Sequence, residues 1–459
     1  MKSSPRVPVI VVGGVSSGVG KTTITLGLLE AFRRRGLVVQ GFKVGPDFID
    51  PGFHTLATGR PAFSLDGWMC GRDYVTASVA QHAADADVAV VEGVMGCFDG
   101  IDGASEAGST AEIAKWLGAP VVLVLDAGAM ARSAAAVLLG FERFDLDVEL
   151  AGVVFNRVGG PLHRRWLEEA VTRACKSRVL GALPYDPALV LPERHLGLVT
   201  AVEGSYGEEA RRRLAALIEE HVDVDALLAV ARSGIERRPV GSRLAAPVSV
   251  ATIAVARDEA FQFYYEDNLE MLEDAGAHVV RWSPLHDAEL PDADALYLGG
   301  GYPELHTRAL SANGELRRQV RAFAESGRPV YAECGGLMYL AGALTDLDGE
   351  AWPMVGVLPI TVSMREPGLT IGYREIETMA ASLLGPAGTR ARGHEFHRST
   401  LGPFSDQPAR AHLVTDGQRG TPRAEGFAAH GVLASYVHLH FGSNPELARN
   451  FVAACARRW

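Results

Sequence analysis

The chain has 459 residues, 47% hydrophobic and 22% charged, enough apolar material for two or three domains with large cores and an ordinary soluble composition. A formal net charge of −11 argues against nucleic acid as the main partner, because phosphate binding needs a positive surface. Cys70, Cys97, Cys175, Cys334 and Cys455 form no CxxC pair, so neither a disulfide framework nor a thiolate metal site is indicated, and a reducing cytoplasm is expected. No apolar run is long enough to span a bilayer, and no membrane partner is expected.

Val9 to Thr23 reads as a short buried strand, a Gly-Ser loop and the start of a helix. That order makes a phosphate cradle. Backbone N–H groups around Ser17, Gly18, Val19 and Gly20 face an anion, Lys21 reaches the outer phosphates, and the hydroxyl of Thr22, followed by Thr23, suits Mg²⁺. The spacing departs from GxxxxGK[ST]: five residues separate Gly14 from Gly20, so the loop is one residue longer.

Ile24 to Arg35 carries an amphipathic helix that stops at Gly36, and Leu37 to Phe42 is the second strand. Further apolar runs at 88–91, 121–125, 153–155 and 179–183 alternate with helical segments, the pattern of a parallel sheet covered on both faces. Ligands of such sheets sit beyond the carboxyl ends of the strands, where Asp47, Asp50, Glu92 and Asp99 lie. These carboxylates can hold Mg²⁺ opposite phosphates, although Asp50 and Asp99 read equally well as loop caps. Asp126 is a weaker magnesium candidate. Asn156 ends a later strand, where its amide can pair with a nucleotide base edge or simply make a turn. A helix is expected over 208–228, and the polar, Arg-rich stretch after it reads as a linker.

New strands begin at 250–255 and continue at 279–282, 295–298 and 330–332, the last leading into Glu333-Cys334-Gly335-Gly336. Cys334 therefore sits on a tight strand-to-helix elbow that exposes a nucleophile, with a helix dipole to lower its pKa. Gly300 and Gly301, upstream in a Gly-Gly-Gly turn, can supply oxyanion-hole N–H groups. Ser435 to Phe441 reads as an alternating strand with His438 and His440 on one face as candidate bases, and the cluster Gly393 to Arg398 as a polar loop.

In order along nearly the whole chain, GVSSGVGKT, KVGPDFIDPGFH, VVEGVMGCFDG, GVVFNRV, LGGGYPELH, YAECGGLMYL, GHEFHRS and SYVHLHF resemble the blocks of the cobyrinic acid a,c-diamide synthases, glutamine-dependent enzymes of corrinoid biosynthesis. The resemblance implies an α/β chain: a P-loop NTPase-like parallel-sheet domain over 1–232, similar to dethiobiotin synthetase, a linker over 233–248, and a class I glutamine amidotransferase-like domain over 249–459. It implies Cys334 as glutaminase nucleophile and His438 as its base. Many class I glutaminases place an acid two positions after that His; here His440 stands there, leaving a dyad or a third member from elsewhere, with Glu395 the candidate. Lys21, Thr22, Asp47 and Glu92 carry over as the ATP and Mg²⁺ set, Asp50 and Asp99 as substrate neighbours, and Asn156 as the base reader.

The implied reaction activates an acetate side chain of a tetrapyrrole polycarboxylate as an acyl phosphate, which ammonia from glutamine displaces. Unprotonated ammonia needs a shielded path between the halves. Cobyrinic acid, hydrogenobyrinic acid and nickel-sirohydrochlorin all fit as acceptor, with a homodimer as a further partner state. The reading from another class is a regulatory P-loop ATPase with a non-catalytic glutaminase-like domain.

Overall fold

The computed structural model describes residues 7–187, 193–194, 197–198, 204, 206–231, 250–365, 368–402, 409–417 and 420–455. It divides into two compact units, Met1–Ser242 and Arg243–Trp459. The linker expected at 233–248 and the basic N-terminal residues lie outside the described residues.

The first unit is a seven-stranded parallel sheet in the order β3-β2-β4-β1-β5-β6-β7. Its strands are β1 (Val9–Gly14), β2 (Val39–Val44), β3 (Phe63–Leu65), β4 (Val88–Glu92), β5 (Val121–Asp126), β6 (Leu150–Val158) and β7 (Arg178–Pro184). Between them run α1 (Lys21–Arg34), α2 (Asp50–Thr58), α3 (Gly67–His82), α4 (Thr110–Leu117), α5 (Arg132–Phe144) and α6 (Pro161–Ala174). Continuous apolar strands arise because both faces are covered: Val9 and Val11 pack into one core and Ile10 and Val12 into the other, all with no exposure. Each such side chain contributes roughly 1.5–3 kcal/mol. β1 lies between β4 and β5, so the crevice beyond its carboxyl end is flanked by the β4 loop.

The single helix expected over 208–228 is two, α7 (Glu208–His221) and α8 (Val224–Val230). Val222 bridges to Gly181 at the edge of the sheet, the Asp223 N–H donates to the Leu180 carbonyl at 2.8 Å, and the Asp223 carboxylate caps α8 through Ala226 N–H at 2.9 Å. Edge pairing and a fresh cap outweigh helical continuity there. A two-residue hairpin, β8 (Glu193–Arg194) and β9 (Gly197–Leu198), precedes these helices.

The second unit is built on a six-stranded sheet, β11-β10-β12-β13-β23-β22. Its strands β10 (Ala251–Ala256), β11 (Ala277–Trp282), β12 (Ala295–Leu298), β13 (Val330–Glu333) and β23 (Val432–Ser435) are parallel, with β22 (Phe427–Ala429) an antiparallel edge. α9 (Glu266–Asp274), α10 (Thr307–Ala312), α11 (Gly314–Glu325), α12 (Gly335–Leu340) and α13 (Glu446–Cys455) accompany it. A small sheet joins β14 (Ala343–Thr345), β15 (Ala351–Pro353), β16 (Thr361–Ser363) and β19 (Thr400–Leu401). An antiparallel sheet joins β17 (Thr370–Thr378), β18 (Arg390–His397), β20 (His412–Asp416), β21 (Arg423–Glu425) and β24 (His438–Leu439).

Two expectations are corrected here. Ser435 to Phe441 is not one strand: β23 ends at Ser435, and His438–Leu439 pairs with β18 in a different sheet. The buried Glu425 carboxylate turns the chain between them, accepting from Ser435 Oγ at 2.6 Å and Tyr436 N–H at 2.9 Å. The cluster Gly393 to Arg398 is not a loop, since Arg390–His397 is a strand paired along its length with β17.

Candidate active sites

Gly20, at the end of the phosphate loop, adopts φ 97°, and a Cβ there would come within 2.2 Å of Asn156 Nδ2. Both the left-handed backbone and the close approach need glycine. Asn156 Nδ2 donates to the Val19 carbonyl at 2.9 Å, and Asn156 Oδ1 accepts the Arg157 N–H at 2.9 Å. The amide expected to read a base thus anchors the loop. Gly18 is also left-handed, at φ 76°. Ser16 and Ser17 are exposed at the loop tip, whereas Val19 is buried against the second core.

Lys21 is buried, and its Nζ donates to the carbonyls of Ser16 at 3.1 Å and Met95 at 2.5 Å. Burial, then the Lys43 charge, lower its pKa. Thr22 Oγ1 donates to Glu92 Oε1 at 2.6 Å and lies 3.5 Å from Asp50 Oδ2, while Thr23 follows within α1. Lys43, which the sequence reading passed over, is the centre of the site: its Nζ is 2.5 Å from Asp50 Oδ2, 3.0 Å from Glu92 Oε1 and 3.9 Å from Asp47 Oδ2. His54, also passed over, places Nε2 2.7 Å from Glu92 Oε2. The available signal for both was their place in the block KVGPDFIDPGFH, one at the end of a strand and one in the following helix.

The charges sort themselves by packing. Burial, with the Asp47 and Glu92 charges, pushes the Asp50 carboxyl well above its ordinary range. Burial acts the same way on Glu92, but the Lys43 ammonium and the His54 hydrogen bond hold it below the usual carboxylate range. Burial opposes the Lys43 charge, and the surrounding carboxylates nevertheless raise its pKa. Asp47 accepts N–H groups from Ile49 at 2.8 Å and Asp50 at 3.0 Å, fixing the start of α2. Asp99 accepts the Gly96 N–H at 2.9 Å in the loop after β4. Asp126 is taken by Arg157 at 2.5 Å, away from the Lys43 cluster.

In the second unit Cys334 has φ 47°, a strained conformation for a side chain with a Cβ, as an elbow requires. Its N–H donates to the Ser435 carbonyl at 2.8 Å. The thiol is not depressed as the helix start suggested: burial pushes it above its ordinary value, the Glu304 charge adds to this, and the Gly335 N–H opposes both. A short helix end cannot offset a site buried among carboxylates. A thiol raised in this way keeps its proton unless a nearby base takes it.

His438 packs on the same glycine turn that meets Gly335, the residue after Cys334. A Cβ on Gly300 would lie 2.3 Å from His438 Cε1 and 3.2 Å from Nε2, so the ring rests on the Gly300 backbone. Gly301 N lies 3.1 Å from where a Cβ on Gly335 would stand, bringing the turn against the residue after the nucleophile. Gly300 N–H itself donates to the Phe263 carbonyl at 3.2 Å, so the amide expected in an oxyanion hole is engaged in that bridge. Burial, then His394 and His397, lower the His438 pKa well below its usual value, keeping the imidazole neutral. His394 stacks on it, with ring centroids 5.1 Å apart.

His440 and Glu395 each have other partners. His440 Nδ1 accepts the Gly442 N–H at 3.0 Å, and its Nε2 faces Asp267 of α9 at 3.9 Å. Glu395 is clamped by Arg374 at 2.5 Å and Arg423 at 2.7 Å. Strand alternation sends it to the opposite side of β18 from His394, the residue paired with His438. The carboxylate beside His438 is instead Glu333, whose Oε2 lies 4.0 Å from Nδ1.

Two family models match: a CobQ/CobB/MinD/ParA nucleotide binding domain over residues 10–199 and a CobB/CobQ-like glutamine amidotransferase domain over 252–446. A cobyrinate a,c-diamide synthase from Syntrophotalea carbinolica is 49% identical over 456 residues, covering 98% of each chain. The chain belongs to the cobyrinate a,c-diamide synthase family. Other members with that name are 41% identical in Leptospira interrogans, covering 99% of both chains, and 42% identical in Salmonella typhimurium, covering 97% of this chain and 98% of the relative. The family pairs a nucleotide-binding parallel-sheet domain with a glutamine amidotransferase domain, as the two units here do. Among the described residues no helix is long and apolar enough to cross a membrane, and no group of three or more His, Cys, Asp or Glu is placed to hold a metal ion.

Proposed function

We propose that this chain uses ATP and glutamine to amidate the a and c acetate carboxylates of cobyrinic acid in cobalamin biosynthesis. The observation that carries it is full-length kinship at 49% identity in a chain that keeps both the long phosphate loop and the strained Cys334 elbow.

In the first unit the loop from Ser17 to Thr23 takes the phosphates of ATP, with Lys21 turning from the Met95 carbonyl to the outer phosphates. The oxygen donors Thr22, Asp47 and Glu92 suit a hard cation, and these residues would hold Mg²⁺ beside the phosphates. A cation held there would neutralise phosphate charge. Asp50 and Asp99 line the acceptor side, and Lys43 balances the carboxylates between them. A carboxylate oxygen of the acceptor attacks the γ-phosphorus, ADP leaves, and the resulting acyl phosphate is a competent acyl donor.

In the second unit the Cys334 thiol loses its proton to His438 as its sulfur attacks the glutamine carbonyl carbon. His438 returns that proton to the departing ammonia, and water then clears the glutamyl thioester. Ammonia displaces phosphate from the activated acetate, and the cycle repeats at the second position.

Incubation with ATP, Mg²⁺, glutamine and separately cobyrinic acid, hydrogenobyrinic acid or nickel-sirohydrochlorin, followed by mass spectrometry, tests the proposal. A diamide of cobyrinic acid supports it; conversion of another macrocycle alone reassigns the acceptor. ATP hydrolysis with no amidation of any acceptor overturns the ligase reading in favour of a regulatory ATPase.

A further inference from the structure

Glu333 is the residue immediately before the nucleophile, at the carboxyl end of β13. It is buried at 1% exposure, and three donors fix its carboxylate: Tyr331 Oη at 2.7 Å and Leu439 N–H at 2.9 Å on Oε1, and Tyr297 Oη at 2.9 Å on Oε2. Leu439 directly follows His438. One carboxylate thus ties the backbone beside the base to the residue beside the nucleophile, and its Oε2 faces His438 Nδ1 at 4.0 Å.

We propose that Glu333 is the positioning acid of the glutaminase site, standing in for the carboxylate that His440 replaces two positions after the base. This rests on the reading of Cys334 and His438 as nucleophile and base. Cε1 and Nε2 face the Gly300 turn and Nδ1 faces Glu333, so in this proposal Nε2 is the nitrogen that takes the thiol proton. As Nε2 takes that proton the imidazole becomes a cation, and the ionised Glu333 carboxylate stabilises it across a site from which water is excluded. No bond to Glu333 forms or breaks. Its position is independent of the cation, because the two tyrosines and Leu439 already hold it, so no reorganisation accompanies the charge.

The groups facing Glu333 are Tyr331 on its own strand, Tyr297 on β12, Tyr264 behind the Gly299 turn, and His438 on β24. The tyrosines stay neutral, since burial raises each of them, leaving Glu333, His438 and the adjacent Cys334 thiol, which the Glu333 charge raises, as the groups that change charge. Burial lifts the Glu333 carboxyl to about 7, against the three hydrogen bonds that favour its ionised form. Glutamine turnover should therefore fall as pH drops through that range.

The test uses the full chain carrying Glu333→Gln, Glu333→Asp or Cys334→Ala, each assayed for glutamate release and for amidation driven by added ammonium in place of glutamine. For Glu333→Gln the expected result is a loss of roughly 10²-fold in kcat for glutamine, less than the roughly 10⁴-fold where a carboxylate bonds the imidazole directly. KM for glutamine and ammonium-driven amidation stay unchanged, the acid limb near pH 7 disappears, and Glu333→Asp recovers part of the loss. Wild-type glutamine turnover in Glu333→Gln, or an equal fall of the glutamine and ammonium reactions with a lowered Tm, overturns the proposal. If Cys334→Ala still releases glutamate, the nucleophile assignment fails and the inference falls with it, whereas a silent Cys334→Ala beside a Glu333→Gln with wild-type turnover overturns this inference alone.

Discussion

Asn156 holds the phosphate loop at Gly20: its Nδ2 donates to the Val19 carbonyl at 2.9 Å and fills the position that a Cβ on Gly20 would need. The strand that carries Asn156 is β6, two strands away from the loop's own β1. The nucleotide cradle is therefore shaped from across the sheet as well as by its own glycines.

Gly20→Ala forces a left-handed alanine against that amide, at roughly 1–3 kcal/mol of backbone strain. Since the loop closes on phosphate, the expected result is a rise of roughly tenfold or more in KM for ATP, at about 1.4 kcal/mol per tenfold, with glutaminase activity unchanged. Steady-state kinetics of ammonium-driven amidation checks this; an unchanged KM means the loop tolerates the side chain.

Lys43→Met leaves Asp50 and Glu92 buried without their shared cation. Removing one partner of such a cluster costs roughly 3–5 kcal/mol. Denaturant unfolding of the first unit should show that loss and amidation should cease, while glutamate release by the second unit persists. A stable, active Lys43→Met enzyme refutes the central role of the ammonium.

The Cys334 elbow holds its sulfur at the cost of backbone strain, so relieving the strain should show as stability. Cys334→Gly and Cys334→Ser are both expected to abolish glutamine use, but the glycine variant should be the more stable by about 1 kcal/mol because φ 47° suits it. Thermal unfolding compares them, and equal Tm values contradict a strained elbow.

His412 on β20 is 1% exposed, and neither ring nitrogen has a hydrogen-bond partner among the described residues. Burial lowers its pKa from 6.5 to about 4, so the fold holds it neutral. The unfolded chain binds the proton more readily, and stability is lost as pH falls from 6.5 through about 4, by up to about 3 kcal/mol. His412→Met should remove that part of the acid destabilisation, read as a smaller drop in Tm between pH 7 and pH 4. An identical pH profile in both proteins excludes it.

Glu395→Gln weakens the clamp on Arg374 and Arg423. A stability loss of roughly 1–3 kcal/mol is expected with glutamine kcat nearly unchanged. A large kcat loss without a Tm shift restores Glu395 to the catalytic site.

The two parallel sheets were legible because their signals are local. Continuous apolar runs separated by amphipathic helices specify a parallel sheet covered on both faces, and the strands expected there differ from the observed ones mainly at their ends, as with Val39–Val44 against a start at Leu37. The short strand β3, the two smaller sheets of the second unit, the helix break at Val222 and the split of 435–441 were not legible. Both arise from partners far along the chain, Leu180 for the first and Glu425 and β18 for the second.

The sequence by itself determined the pieces whose chemistry lies within one turn of chain: the long phosphate loop from Gly14 to Thr22, the Cys334 elbow, and the family to which the whole order of motifs belongs. Only the tertiary structure decided which groups face one another and which charges survive burial. It made Lys43 and His54 partners of Glu92, tied Glu395 to Arg374 and Arg423, put Glu333 beside His438, and raised the Cys334 thiol that a helix start alone would have lowered. The physical reason is that ionisation depends on desolvation and on charges a few ångströms away, and packing of distant strands sets both.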